Sequence, residues 1–153
     1  KGKKVDKKIT AKGNEIKPPI NPENQNKSVN SYDKLVKSHG SFQEYLDQTN
    51  ITCKSLATNE IYISAEGLVT PCCWTHGRFY KAYQKMGENQ IWSFVDNIKK
   101  INALHTPLRE IINGNFFMQL EKSWNLPSCS NGKSVVCAEK CGSGFDAFRD
   151  QWK

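Results

Sequence analysis

The residues of this chain best suited to metal or redox chemistry are its cysteines. There are six, namely Cys53, Cys72, Cys73, Cys129, Cys137 and Cys141. Cys53 and Cys72 form a first pair that encloses Gly67, with thirteen residues before the glycine and four after it, and Cys137 and Cys141 form a second pair. Two separated pairs, the first containing a glycine turn, predict four thiolates that the fold closes around a metal ion or an iron–sulfur cluster.

The cellular compartment decides which chemistry is open to these thiols. In a secreted chain they would form disulfides, whereas in a reducing cytosol they would bind metal. Neighbouring cysteines such as Cys72 and Cys73 rarely bridge each other. The lysine-rich start of the chain has no apolar segment that resembles a signal peptide or a membrane span. We therefore expect a cytoplasmic protein with metal-binding cysteines.

The first part of the chain is basic and poor in apolar residues. The formal net charge is +7, and seven lysines precede Pro18. Prolines and a polar run over residues 23–31 offer little to bury, so residues 1–40 are expected to be an extended, irregular arm or linker before a domain at 41–153. Such an arm could contact nucleic acid, but no RNA-binding signature accompanies it, and we expect a solvated linker.

A β-hairpin is predicted between the first two cysteines. From Glu60 onward apolar and polar residues alternate, and the alternation resumes after a turn in which Gly67 would supply a positive φ angle. Pro71 cannot donate a hydrogen bond to a neighbouring strand, so it should end the second strand and present Cys72 at its tip. The hairpin would thereby bring Cys53 and Cys72 to one end of a small sheet.

Short helices are predicted on both sides of this hairpin. Ser41 and Glu44 have the spacing of a capping box and predict a helix to about Gln48. The later helices are expected over residues 79–85, 90–101, 107–113 and 115–124. An apolar stripe at helical spacing supports the second of these and consists of Ile91, Phe94, Val95 and Ile98. Elements of both kinds predict an α+β fold.

The last stretch is rich in Ser, Gly and Cys, and residues 126–144 are expected to form a loop that returns the chain to the metal site. The backbone amides of Gly142, Ser143 and Gly144 are candidate hydrogen-bond donors to sulfur, with a plain loop as the simpler interpretation. His76, just beyond the first cysteines, could be a metal ligand or a proton donor, although a turn or surface histidine is the simpler interpretation.

The residues around the first pair resemble a known family. Cysteine, nine to fifteen residues, glycine, four residues and cysteine is the opening motif of the SPASM and twitch domains of radical S-adenosylmethionine enzymes, and Cys53, Gly67 and Cys72 match it. The hairpin sequence from Ile61 to Trp74, with a proline before its first cysteine, is also similar. The resemblance covers roughly residues 50–145.

This resemblance implies a small β-hairpin followed by several short helices around a cysteine-ligated cluster. A SPASM domain holds two clusters and has a dense run of cysteines in its second half, whereas this chain has only Cys129, Cys137 and Cys141 there. It is therefore more similar to the twitch type, with one auxiliary 4Fe-4S cluster. The implied ligands are Cys53, Cys72, Cys137 and Cys141, with Cys73 and Cys129 as rivals.

The radical reaction itself is not expected of this chain alone. The family's radical motif has three cysteines spaced three and two residues apart, and the nearest approach here is Cys137-x3-Cys141, with Gly144 where the third would stand. The chain therefore resembles the auxiliary part of such an enzyme. The resemblance implies a radical S-adenosylmethionine barrel domain or protein as partner, a peptide or protein as possible substrate, and a cluster used for electron transfer or substrate engagement.

Zinc is the competing cofactor. Four thiolates bind Zn²⁺ tetrahedrally, and the chain would then be a structural interaction module without a redox role. Zinc modules, however, usually pair their cysteines at short spacing on both sides, whereas Cys53 and Cys72 are nineteen positions apart. We therefore expect iron and sulfide rather than zinc.

Overall fold

The computed structural model describes residues 19–24, 27–80 and 90–144. Its α-helices are α1 (Lys27–His39), α2 (Phe42–Gln48), α3 (Lys54–Thr58), α4 (Cys73–Gly77), α5 (Gln90–Ser93), α6 (Leu108–Ile112), α7 (Asn115–Ser123) and α8 (Val135–Cys141). Its strands are β1 (Tyr62–Ile63) and β2 (Val69–Thr70), and 3-10 helices cover Pro22–Asn24, Ile98–Ile101 and Cys129–Asn131. The fold is therefore α+β, as predicted. None of the helices in these described ranges is long and apolar enough to cross a membrane.

The hairpin predicted around Gly67 is present. Tyr62 pairs with Thr70 and Ile63 with Val69 in antiparallel register. Gly67 lies in the turn with a φ of +82°, a conformation in which a side chain would be strained. Both residues of β2 are fully buried, so this strand is the edge of the hairpin that faces the core.

Helix α2 begins where the capping box predicts it, because the Glu44 amide donates a hydrogen bond to the Ser41 hydroxyl at 3.1 Å. Helix α1 contradicts the expectation of an extended, irregular chain up to residue 40, which is wrong for residues 27–39. Polar composition hid this helix, since its described buried apolar side chain is Leu35, which packs with Tyr45 and Leu46 of α2. Residues 1–18 of the predicted arm lie outside the described residues.

The main core gathers side chains from the hairpin and from the helices that follow it. Its buried members are Val69, Ile91, Phe94, Ile101, Ile111, Phe116, Leu120, Val136 and Cys137. Helices α6 and α7 match the predicted segments. The helix predicted over residues 90–101 is broken, because Asn97 is extended and its side chain accepts a hydrogen bond from the Lys99 amide, which starts a separate 3-10 helix. Of the segment predicted over residues 79–85, only Phe79 and Tyr80 are described, and they form a turn and a bend.

The expectation of a loop over residues 126–144 is also wrong, because helix α8 occupies its centre. Ser134 caps this helix by accepting a hydrogen bond from the Cys137 amide at 3.4 Å. Val136 is buried in the main core, and Ala138 is buried against Leu35, Tyr45 and Leu46. The serine that suggested a loop is the N-cap, and burial of the apolar side chains that follow it stabilises the helix.

Candidate metal centre

Four of the six cysteines line one cavity in the described structure. They are Cys53, Cys72, Cys137 and Cys141. All six cysteines are free thiols. The structure thus brings together the two pairs that lie far apart in the sequence.

Three chain segments position these four sulfurs. Cys53 stands immediately before α3, and Cys72 stands immediately before α4 at the exit of β2. Cys137 and Cys141 are four positions apart on α8, so one face of that helix presents both. The Thr52 amide donates a hydrogen bond to the Cys141 carbonyl at 3.0 Å, which ties the first segment to the end of α8.

The cavity walls are mostly apolar. Besides the cysteines, the walls include Pro71, Trp74, Thr75, Leu120, Trp124, Val136 and Lys140. The Lys140 ammonium lies 4.5 Å from the centroid of the Trp74 ring, a cation–π contact at the edge of the site. An apolar wall with one nearby positive charge suits a group held by several thiolates, because it excludes water and offsets negative charge.

The surroundings make Cys53 the most acidic of the thiols whose shift is resolved. The adjacent Cys141 thiol, together with the amides of Leu56 and Ser55 in α3, lowers the pKa of Cys53 to about 6, against the opposing effect of burial. The same contact with Cys53, together with burial, raises the pKa of Cys141. We assign the anion to Cys53 because it stands at a helix N-terminus, whereas Cys141 ends α8, where carbonyl oxygens disfavour negative charge.

Two further groups face the remaining sulfurs. The Thr75 amide donates to Cys72 Sγ at 3.5 Å, and the Thr75 hydroxyl lies 3.3 Å from the same sulfur. Burial raises the pKa of Cys137 to about 11, opposed by the Ser134 hydroxyl and the Trp124 indole. The buried Trp124 Nε1–H has no partner of ordinary hydrogen-bond geometry in the described residues. It lies close enough to favour negative charge on Cys137, so it is a donor available to a sulfur there.

The four thiols are suitable ligands for a metal ion or a cluster. Their present positions, however, are not those of a formed metal site. Within residues 19–24, 27–80 and 90–144, no group of three or more His, Cys, Asp or Glu side chains is arranged to hold a metal ion as it stands. The cavity itself is about 10 Å³, the space of a single water-sized sphere. Zinc would draw the four sulfurs to about 3.8 Å from one another, given Zn–S bonds of about 2.3 Å in a tetrahedron. A cluster is larger than a single ion, so binding it would require the cavity to widen.

The two rival cysteines lie elsewhere. Cys129 packs against the cluster formed by α1 and α2, its amide donates to Asp47 Oδ1 at 2.7 Å, and burial raises its pKa to about 11. Cys73 is exposed and lines a different, larger cavity. In the described structure neither contributes to the cavity that the other four share.

The simpler interpretation of His76, a turn or surface histidine, is wrong, whereas that of the glycine-rich segment needs no sulfur contact. His76 is neither exposed nor in a loop: it is 4% exposed within α4, and it lines the larger cavity rather than the cysteine cavity. The amides of Gly142 and Ser143 do not serve sulfur, because they donate to the carbonyls of Ala138 and Asn50.

Sequence reasoning did not single out Thr75 or Lys140 as parts of the site. Lys140 could have been found from the sequence, since it lies between the two cysteines of α8. That would have required predicting this segment to be a helix. Comparisons with models of protein families, with curated proteins and with solved structures find no match for this chain.

Proposed function

We propose that this chain is an auxiliary 4Fe-4S cluster domain that works with a radical S-adenosylmethionine barrel, carried on the same chain or on a partner protein. In this proposal Cys53, Cys72, Cys137 and Cys141 hold the cluster. The domain transfers electrons to or from the barrel, or helps to engage a peptide or protein substrate. We place it in the cytoplasm, where thiols remain reduced.

One observation carries the proposal: of six cysteines, the four implied by the family resemblance line one cavity, and the two rivals do not. The resemblance rests on the spacing of Cys53, Gly67 and Cys72, and the joining of Cys72 to the α8 pair depends on the fold. The two arguments rest on different observations, and they agree on Cys53 and Cys72.

A cluster held by four thiolates has no open coordination position, so the chemistry it supplies is one-electron transfer. The chain's own residues would set how readily that transfer occurs. Thr75 donates to Cys72, and the Trp124 indole faces Cys137; hydrogen bonds to sulfur make reduction easier. Lys140 adds a positive charge next to Trp74, and Leu120 and Val136 exclude water.

A structural zinc module is the second candidate, and the small cavity volume favours it. A space of about 10 Å³ accepts a single ion with less rearrangement than a cluster requires. Bound zinc would join the start of α3 and α4 to α8 and would contribute folding free energy without a redox role.

Metal analysis of anaerobically purified full chain tests the proposal. We expect about four irons and four sulfides per chain, with a broad absorption band near 400 nm. Single alanine variants of Cys53, Cys72, Cys137 and Cys141 should lose most of this iron, because each removes a ligand. Cys73→Ala and Cys129→Ala are matched controls that should retain it, with circular dichroism to verify folding of every variant.

The outcomes separate the candidates. One zinc and no iron, even after anaerobic reconstitution, would overturn electron transfer in favour of the structural module. Loss of iron in Cys73→Ala or Cys129→Ala equal to that in Cys72→Ala or Cys137→Ala would instead show that the ligand assignment is wrong.

A further inference from the structure

A second cavity, of about 500 Å³, lies beside the cysteine cavity. Its volume falls within the range of small-molecule sites. Trp74 lines both cavities, and the adjacent residues Cys72 and Cys73 face one each. The two spaces are therefore neighbours that share an indole wall, while their other described lining residues differ.

Aromatic side chains form much of the wall of the larger cavity. Tyr62, Trp74 and Tyr80 all line it, and each is partly exposed, with accessible fractions of 37%, 42% and 39%. Three aromatic rings around one space favour a cation, because the face of an aromatic ring carries negative charge. Trp74 already shows this property toward Lys140.

The charged side chains of this cavity also favour a cation. Arg78 lines it, and its guanidinium lies 2.8 Å from the carboxylate of Glu139, which also pairs with the Lys140 ammonium at 3.2 Å. Glu66 also lines it, and in the described residues its carboxylate has only neutral hydrogen-bond partners, with no Lys or Arg paired to it. Within the described residues, Glu66 is thus the lining carboxylate with which no Lys or Arg pairs.

A hydrogen-bonded chain fixes this carboxylate. The Tyr80 hydroxyl donates to Glu66 Oε1 at 3.1 Å and lies 3.1 Å from Nε2 of the buried His76. Since the single hydroxyl proton points to Glu66, His76 Nε2 must be the donor in the second bond. The chain from His76 through Tyr80 therefore holds Glu66 as an acceptor at the cavity.

We propose that this cavity is a binding site for an organic ammonium ion, with Glu66 as its counter-charge and Tyr62, Trp74 and Tyr80 as its aromatic walls. The ligand class is a positively charged amine on an apolar or aromatic body. The proposal goes beyond the cluster function and does not depend on a metal in the cysteine cavity.

Three probes of similar size and different charge test it: benzylammonium, benzyl alcohol and benzoate. Each is titrated into the full chain at low ionic strength, and binding is followed by ¹⁵N chemical shifts and calorimetry. Benzylammonium should bind about tenfold more tightly than benzyl alcohol and more tightly still than benzoate, with shifts at residues 62–66 and 73–80. The net charge of +7 would by itself favour benzoate. A preference for the cation would therefore show that the cavity itself selects positive charge.

Glu66→Gln keeps the size of the side chain and an acceptor for Tyr80 but removes the charge. It should weaken benzylammonium binding a few-fold and leave the part of the preference that the aromatic walls supply. Glu60→Gln is the matched control, because it removes the same charge near the start of the hairpin but outside the cavity, and it should leave affinity unchanged.

Tyr62→Leu tests the aromatic wall and should reduce the preference for the cation a few-fold. Equal binding of benzylammonium and benzyl alcohol, no binding of any probe, or full affinity in Glu66→Gln would overturn the proposal. Iron and zinc are measured in the same samples, so failure of the cation site and failure of the cluster proposal are read separately.

Discussion

Cys53 and Cys141 show how strongly a protein can divide the acidity of two neighbouring thiols. The Cys141 thiol and the amides at the start of α3 favour the anion at Cys53 and lower its pKa to about 6. Cys129 and Cys137 are shifted the other way, because burial raises the pKa of each to about 11. In metal-free protein at neutral pH we therefore expect Cys53 to be a thiolate, whereas Cys129 and Cys137 should remain protonated.

Alkylation of the metal-free chain tests this division. A lowered pKa means that the Cys53 thiolate persists above about pH 6 and is lost as the pH falls through that value. At pH 7 iodoacetamide should modify Cys53 at least about tenfold faster than Cys129 or Cys137, even after allowance for the lower nucleophilicity of an acidic thiolate. Mass spectrometry of peptides gives each rate.

The chain unfolded in urea is the control for this experiment, since all rates should converge there. A Cys53 rate that keeps rising through pH 8–9, as for an ordinary thiol, would contradict the assignment of the anion to Cys53.

At the scale of elements, the hairpin turn bears on both cavities, because β2 leads to Cys72 and Glu66 lies in the turn. Gly67 has a φ of +82°, and a Cβ added there would lie 2.8 Å from Asn102 Oδ1. The Gly67 carbonyl also accepts a hydrogen bond from the Ala103 amide at 2.8 Å, so the turn cannot relax without losing a contact to the next segment.

Gly67→Ala should therefore lower the free energy of unfolding by about 1–3 kcal/mol. Gly77→Ala is its matched control, because nothing lies within 4 Å of a Cβ there and α4 would gain helix propensity. That variant should be neutral or up to about 1 kcal/mol more stable. Urea denaturation measures both, and equal stability of the two variants would contradict the positive φ of the turn.

The elements that could be predicted from the sequence are those with local signals. Gly67 marks the hairpin, and Ser41 with Glu44 marks α2, because turn and cap chemistry acts within four residues. Helices α1 and α8 could not be predicted, because each is stabilised by a contact that is distant in the sequence. Leu35 and Ala138 are buried in the same cluster, although they lie about a hundred positions apart in the chain. Local helix propensity does not predict a contact over that distance.

The candidate site, like the fold, could be predicted only where its signals are local in the sequence. Its two pairs of cysteines could be found from spacing, but the rivals could be separated only by the fold. Cys73 is exposed because α4 begins directly after Cys72, and Cys129 is held away by Asp47 of α2. Neither α4 nor the contact with α2 has a signal in the sequence near these cysteines.

At the scale of the whole molecule, Lys133 connects the α1–α2 pair to the segment that leads into α8. It is 4% exposed, and its amino group donates to the carbonyls of Asp47 and Thr49, both at 2.7 Å. The Lys133 carbonyl accepts from Gln90 Nε2 at 2.8 Å, and Gln90 Oε1 accepts from the Val135 amide at 2.9 Å. Hydrogen bonds over long sequence distances thus join three parts of the chain.

Lys133→Met should lower the free energy of unfolding by about 2–4 kcal/mol, because it keeps the apolar stem but leaves two carbonyls at the end of α2 without their donor. Lys122→Met, on the exposed face of α7, should change it by less than about 0.5 kcal/mol. Thermal and urea denaturation measure the pair, and a Lys133→Met variant as stable as the Lys122→Met control would show that these hydrogen bonds contribute little.

The way α8 completes the cysteine cavity also orders events during synthesis. Cys53 and Cys72 leave the ribosome 65 to 88 residues before Cys137 and Cys141. Contacts over such distances form late, because a long loop must close first. A nascent chain that meets iron or zinc early can offer it only thiols from its first half. If these four cysteines are the ligands, as we propose, docking of α8 is the step at which the full set first exists, and loading would follow translation of residue 141.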